Sequence, residues 1–260
     1  MSRAASVRMA STRTEQATTG GTWRKLPSGY FAQSELPFAS LALLLPLLVL
    51  YEIGTRHFAS DPFAGTEHRI IAFKLMQEFF RLFGASGRYL PALAIVGILL
   101  AWHIARNDPW RVRPGTLAGM AIEGCLLGLP LLAIGIVGLR YLAAPVSGDW
   151  RGMIVLSIGA GIYEELVFRL VAFTLLQLLL VDLLELPKLW AGAATVLAAS
   201  VLFSVYHYLG EEPTLHTFVF RTVAGIYFGV VFLFRGFGIT ACSHASYDVC
   251  VVALRLLARA

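Results

Sequence analysis

The sequence predicts an all-α fold, a polytopic transmembrane helical bundle, and three observations carry that prediction. Hydrophobic residues make up 57% of the 260-residue chain and charged residues only 14%, against about 25% charged in ordinary soluble domains. Apolar runs of about 18 residues or more recur, each long enough to cross a bilayer as a helix. The basic residues sit in the loops between those runs, where membrane orientation and anionic headgroups place them.

Residues 1–35 are Ser/Thr/Ala-rich and basic with little to bury, and read as a flexible tail. The absence of an apolar stretch before Leu36 argues against a short cleavable signal peptide. With Arg3, Arg8, Arg13, Arg24 and Lys25 ahead of the first span, the positive-inside rule puts the N-terminus inside, in a bacterial cytoplasmic (inner) membrane. The same Arg-rich, acid-poor start is also the composition of an organelle transit peptide, so an organelle membrane is the alternative.

Apolar segments follow at 37–55, 88–105, 115–140, 152–184, 188–209, 216–235 and 238–258. The run at 152–184 exceeds the roughly 20 residues one span needs, and reads as one long tilted helix or a broken one. The expectation is therefore seven or eight spans, in one membrane domain without internal repeats. Region 36–149 holds the N-terminal spans, and 150–258 the segments that carry ionisable groups. Between the first two spans, 69–84 places Ile70, Phe73, Met76, Phe80 and Phe83 at helical spacing among Lys74, Gln77, Glu78 and Arg81. That is an amphipathic helix lying in the interface, or a packed re-entrant one.

The formal charge of +5 does not require nucleic acid, because the membrane explains where the basic residues lie. Cys125, Cys242 and Cys250 all fall in apolar segments, which excludes a disulfide framework as the organising principle. Gly225 and Gly229 form a small-xxx-small pattern suited to close helix contact.

The chemistry-bearing residues cluster late. In "GIYEELVFRL", 161–170, Glu164, Glu165 and Arg169 stand inside one of the most apolar parts of the chain, where each charge costs about 2.5–3.5 kcal/mol on insertion scales. Glu165 and Arg169 are four apart and share a helix face, so they can pair. Glu164 points about 100° away and needs another reason to be there. Phe203 and His207 share a face in the next segment, and His244 and Asp248 in the last. A carboxylate, two imidazoles and a second carboxylate are a set that activates water, by general base catalysis or by holding a divalent metal such as zinc. Glu123 lies inside a span without a local partner, and either lines the pocket or pairs with a distant arginine. Simple alternation of spans would put His207 and His244 toward opposite faces, so a common pocket requires a tilted, short or broken helix, or a deep aqueous cavity.

The order Glu164-Glu165-x-x-x-Arg169, Phe203-x-x-x-His207, His244-x-x-x-Asp248 over roughly 150–256 resembles the CPBP or Abi family of intramembrane proteases, which includes the type II CAAX prenyl endopeptidases. The resemblance implies peptide-bond hydrolysis in or beside the membrane. Glu164 would activate water, and His207, His244 and Asp248 would hold that water, the oxyanion or a metal. Glu165, Arg169 and Phe203 would support the site. The implied partner is a membrane-associated or lipidated protein or peptide, prenylated in the narrow form of the reading. Asp248 stands where the prenyl-protein proteases often have Asn; that favours a metal and leaves prenyl processing less supported than proteolysis. The signatures HExxH and GxGD of other intramembrane proteases are missing from the chain. The rivals are a non-catalytic immunity or scaffold protein that keeps the motifs for structure, and a membrane transporter using intramembrane Glu and His.

Overall fold

The computed structural model describes residues 24–61, 66–139 and 149–258, and the chain there is helical apart from one short strand pair. A short α1 (Tyr30–Ser34) precedes α2 (Pro37–Phe58), which starts on a proline in its first turn, where the missing N–H costs nothing. At the far end of α2, β1 (Ser60–Asp61) pairs antiparallel with β2 (Thr66–Glu67). Then α3 (Ile71–Leu82) leads into α4 (Leu90–Ala105), which returns along α2, and into α5 (Pro114–Leu139). The Asp149 side chain caps α6 (Trp150–Glu165) by accepting from the Arg151 N–H.

The long run expected at 152–184 is one continuous helical path with two widened turns. After α6 the helix opens into a π turn at Leu166–Val171, resumes as α7 (Ala172–Gln177), and opens again at Leu178–Leu183. Next, α8 (Lys188–Tyr206) ends in a single 3-10 turn, His207–Leu209, and Thr214 caps α9 (Leu215–Leu257).

Five helical stretches are long and apolar enough to cross a membrane, α9 among them at 43 residues. At about 1.5 Å per residue, α9 is roughly twice the length of one span. It breaks at Gly236, whose φ of 74° and ψ of −177° is a conformation open essentially only to glycine. Phe228 and His244, each eight residues from Gly236, stack at 4.6 Å between ring centroids, and Phe220 lies 6.4 Å from Tyr247. The two arms of α9, 215–235 and 237–257, thus fold back on one another without a connecting loop. With α4 as a shorter apolar helix, the described residues make seven apolar passes, within the expected range. The protein is an integral membrane protein with an all-α helical bundle.

The second arm of α9 runs through the bundle centre, packed on α5, α6 and the first arm. Tyr51, Phe73, Tyr163, Phe168, Phe203, Tyr206 and Phe237 build the principal core cluster. Large apolar side chains such as Leu93, Ile122, Leu175, Leu189 and Phe234 cover the outside, the surface a lipid environment accommodates.

Two expectations change in detail. The tail expected to be flexible through residue 35 packs against the bundle from Arg24 on: the Arg24 N–H donates to Asn107 O, and Gln33 and Ser34 are buried. The rest of that tail, 1–23, lies outside the described residues. Helix α3 combines the two forms weighed for it. Its first turn is packed, with Ala72 and Phe73 buried, while Phe79, Leu82 and Phe83 further along are exposed apolar groups.

Candidate active site

Backbone contact positions the site. Gly161 sits one turn before the glutamates, and a Cβ there would come within 2.5 Å of Ala245 N and 2.7 Å of Ala241 O. Only a bare backbone lets α6 approach the second arm of α9 this closely, and that approach carries Glu164 and Glu165 to His244.

Glu165 is a hub behind the site. Its Oε2 lies 3.1 Å from Arg169 Nε, so the four-residue pair expected from spacing forms. Its Oε1 accepts from His244 Nδ1 at 2.7 Å; a carboxylate only accepts, so this ring nitrogen carries hydrogen. Arg169 also donates from Nη2 to Gly225 O at 3.2 Å, and its guanidinium lies 4.7 Å from the Phe203 ring centroid. Glu165 and Arg169 are 0% and 1% exposed and bind α6, both arms of α9 and, through Phe203, α8 into one unit.

Glu164 faces the other way, as helix geometry requires. The Tyr206 hydroxyl donates to its Oε1 at 3.2 Å, while its Oε2 stands 3.9 Å from both His207 Nε2 and His244 Nε2. His207 Nδ1 donates to Phe203 O at 2.7 Å, the carbonyl again fixing the direction. That leaves Nε2 as the nitrogen turned toward Glu164. Asp248 Oδ2 lies 3.5 Å from His244 Nε2. These gaps exceed a direct hydrogen bond, yet a single small molecule can span them.

The four groups line one cavity of about 250 Å³, together with Phe203, Phe220, Phe228, Arg221, Arg255 and Glu211. Glu164 and His244 are the enclosed members, with side chains 8% and 5% exposed; His207 and Asp248, at 20% and 28%, mark the wet edge. The alternation problem is resolved by the hairpin. Because the arms of α9 join without a loop, His244 is already two turns deep when its arm passes Glu164, and α8 stops at Tyr206 beside the same level.

Sequence reasoning did not single out Tyr206 or Arg221. Tyr206 adjoins His207 in an apolar aromatic run and reads as packing; its role appears only where its hydroxyl takes the Ala72 N–H at 2.7 Å and gives its own hydrogen to Glu164. Arg221, a charge inside a late span, was findable by the rule that drew attention to Glu164. Glu123 proves to pair with a distant arginine: Arg235 Nη2 donates to its Oε2 at 2.9 Å, and the Tyr30 hydroxyl donates to the same oxygen. Burial, then Glu123, pushes the Tyr30 phenol up to about 12. Gly225 lies against Ser200, the close helix contact its spacing suggested.

The donor types Glu, His, His and Asp suit a hard or borderline cation. Among the described residues, however, no three His, Cys, Asp or Glu side chains form a group arranged to hold one. Coordination at this site therefore requires side-chain movement.

The fold and this cavity define a class: a helical membrane protein with an acid–imidazole site enclosed among its last spans. Residues 146–250 match the family model described as type II CAAX prenyl endopeptidase Rce1-like. The resemblance carried by the three motifs is thus shown for this stretch, which matches an Rce1-like domain of the CPBP/CAAX protease family. No curated protein and no solved structure matches the chain.

Proposed function

We propose that the protein is an intramembrane endopeptidase that hydrolyses a peptide bond of a membrane-associated or lipidated protein or peptide with water activated by Glu164. The observation that carries this reading is the placement of Glu164 Oε2 at 3.9 Å from both His207 Nε2 and His244 Nε2 on the cavity wall. A water between Glu164 and His207 donates one hydrogen to each. Glu164 takes a proton as that water attacks the carbonyl carbon, and later returns it to the leaving amine. His244, oriented by Glu165 and Asp248, donates to the developing oxyanion. Asp248 has the second task of keeping His244 turned toward the cavity. The Rce1-like match supports lipidated, including prenylated, substrates. The basic tail supports an N-terminus on the inner side.

A divalent metal such as zinc, held by Glu164, His207, His244 and Asp248, is the second form of the site; the donor types suit it, and the side chains would have to move to hold it. Bound there, it would polarise the carbonyl and acidify water.

The test compares peptide termini in membranes expressing wild type with those expressing Glu164→Gln at matched levels, by mass spectrometry. Termini present only with wild type are the expected result. Identical patterns from two folded, inserted proteins would overturn the reading and favour the immunity or scaffold role. Elemental analysis of purified wild type separates the two forms of the site: stoichiometric zinc, lost together with activity on chelation, selects the metal form.

A further inference from the structure

The proposed hydrolysis uses the acid and imidazole groups of the cavity and leaves Arg221 without a task. Arg221 stands near the start of α9 on the same wall as Ala224 and Phe228. A guanidinium in an apolar span is costly and needs a purpose. Hydrolysis of a neutral peptide bond supplies none, because Glu164 and the imidazoles already provide base and oxyanion donor.

Its present partner is a weak anchor. Arg221 is 6% exposed, whereas Glu211, in the turn between α8 and α9, has a side chain 55% exposed. Nη2 donates to Glu211 Oε2 at 2.6 Å. Nη1 is buried with no hydrogen-bond partner among the described residues. A fork with one tooth engaged by a water-facing carboxylate and the other unfilled is a receptor for a carboxylate, which guanidinium binds through two parallel hydrogen bonds. Glu211 gives up little on release because water solvates it, while an anion entering the cavity gains both donors. Tyr208, with its ring 5.9 Å from the guanidinium carbon, helps fix the plane of the fork. Arg255, also on the cavity wall, adds positive charge.

We infer that Arg221 is a specificity-determining residue that binds a carboxylate of the substrate, with Glu211 holding the fork until the substrate displaces it. The inference rests on the protease reading above. The carboxylate is either the substrate's own C-terminus or an acidic side chain close to the cleaved bond; both present the same chemistry.

Three probes distinguish them: a farnesylated peptide with a Cys-aliphatic-aliphatic-Ser tail as the free acid, the same peptide as the C-terminal amide, and the amide with Glu in place of the last Ser. Full-length protein in liposomes is assayed for kcat and KM. Wild type is expected to favour a carboxylate-bearing peptide over the plain amide by about ten- to a hundredfold in kcat/KM, the worth of a charged hydrogen bond. Preference for the free acid alone assigns the C-terminus, and rescue by Glu assigns a side chain. Arg221→Gln should erase the preference by raising KM for the favoured peptide while leaving the plain amide unchanged. Should Arg221→Gln fail to fold, Glu211→Gln carries the test. It removes the competing carboxylate, so KM for the favoured peptide should fall and KM for the plain amide should not. Equal cleavage of all three peptides by wild type, or a Glu211→Gln variant with unchanged KM, overturns the assignment while proteolysis stands. Absence of Glu164-dependent cleavage of all three peptides overturns this inference, and the protease reading falls with it only when the membrane termini of wild type and Glu164→Gln are also identical.

Discussion

Two clusters in this protein join a carboxylate to a guanidinium, one half-buried and one fully enclosed, and they differ in how completely they close. At the hairpin end, Glu123 takes hydrogen bonds from Arg235 and Tyr30, and Arg235 spends a further N–H on Ser34 Oγ at 2.9 Å. The contacts to Glu123 are all direct, and only Glu35 stands further off, at 3.6 Å from Arg235 Nη1. In the cavity, the Glu165 side is likewise held at close range, by the Arg169 ion pair at 3.1 Å and the His244 hydrogen bond at 2.7 Å, although Arg169 Nη1 has no hydrogen-bond partner among the described residues. The Glu164 side does not: it leaves separations of 3.9 Å to two imidazoles. A closed cluster ties helices together and has no capacity for another molecule. A gapped one has unspent donors and acceptors aimed at a common point, which a structural role alone does not call for. The adjacent residues Glu164 and Glu165 belong to the two kinds, because a helix turns them about 100° apart.

The comparison breaks most sharply at Glu164. Glu164→Gln keeps shape and volume but removes the base, and should lower peptide hydrolysis by about 10²–10⁴-fold. The unfolding temperature of the detergent-solubilised protein should hold. A variant that loses stability as well as activity would place Glu164 with the closed clusters.

Arg235→Met should show the opposite pattern. It takes the guanidinium from Glu123 and leaves only the Tyr30 hydroxyl, and losing hydrogen bonds to a charged group at this half-buried place costs about 1.5–3 kcal/mol. Denaturant titration should show the loss, while the specific activity of the folded fraction is retained. Activity lost at unchanged stability would mean that the hairpin end takes part in the chemistry.

The fold was legible because it depends on composition and run length, and lipid leaves few alternatives to helices. The segment boundaries at 216–235 and 238–258 were legible too, but what joins them was not. A two-residue gap reads as a loop, and only the left-handed backbone of Gly236 turns it into a hairpin that sets the depth of His244. The Glu165–Arg169 pair is local and could be read from spacing. The second partner of Glu165, His244, is 79 residues away and could not. The packing of residues 24–35 was missed for a similar reason, since Tyr30 earns its place from Glu123, 93 residues on. Arg221 is a different case: a charge in an apolar span is visible in the sequence, but its place on the cavity wall is not.

Gly236→Ala tests the joint between the two clusters, which lies next to Arg235. A side chain at this backbone conformation costs about 1–3 kcal/mol. Open space surrounds the position, so strain rather than collision sets the cost. Relief of that strain shifts the arms, so activity should fall together with stability. Loss of stability without loss of activity would show that the hairpin can relax at its tip without moving His244.

The smallest expected effect is at Tyr206, and it tests where the boundary between the clusters lies. Its hydroxyl takes the Ala72 N–H from the first turn of α3 and passes its own hydrogen to Glu164. It therefore links a helix with an exposed apolar face to the catalytic candidate. Tyr206→Phe removes both bonds and keeps the ring, which packs edge-on against Phe168 and His207. Stability should fall by only about 1 kcal/mol per lost bond. If the hydroxyl orients Glu164, kcat should fall by about tenfold per 1.4 kcal/mol of lost orientation, with KM unchanged. A purely structural Tyr206 would lower stability and leave kcat of the folded protein unchanged.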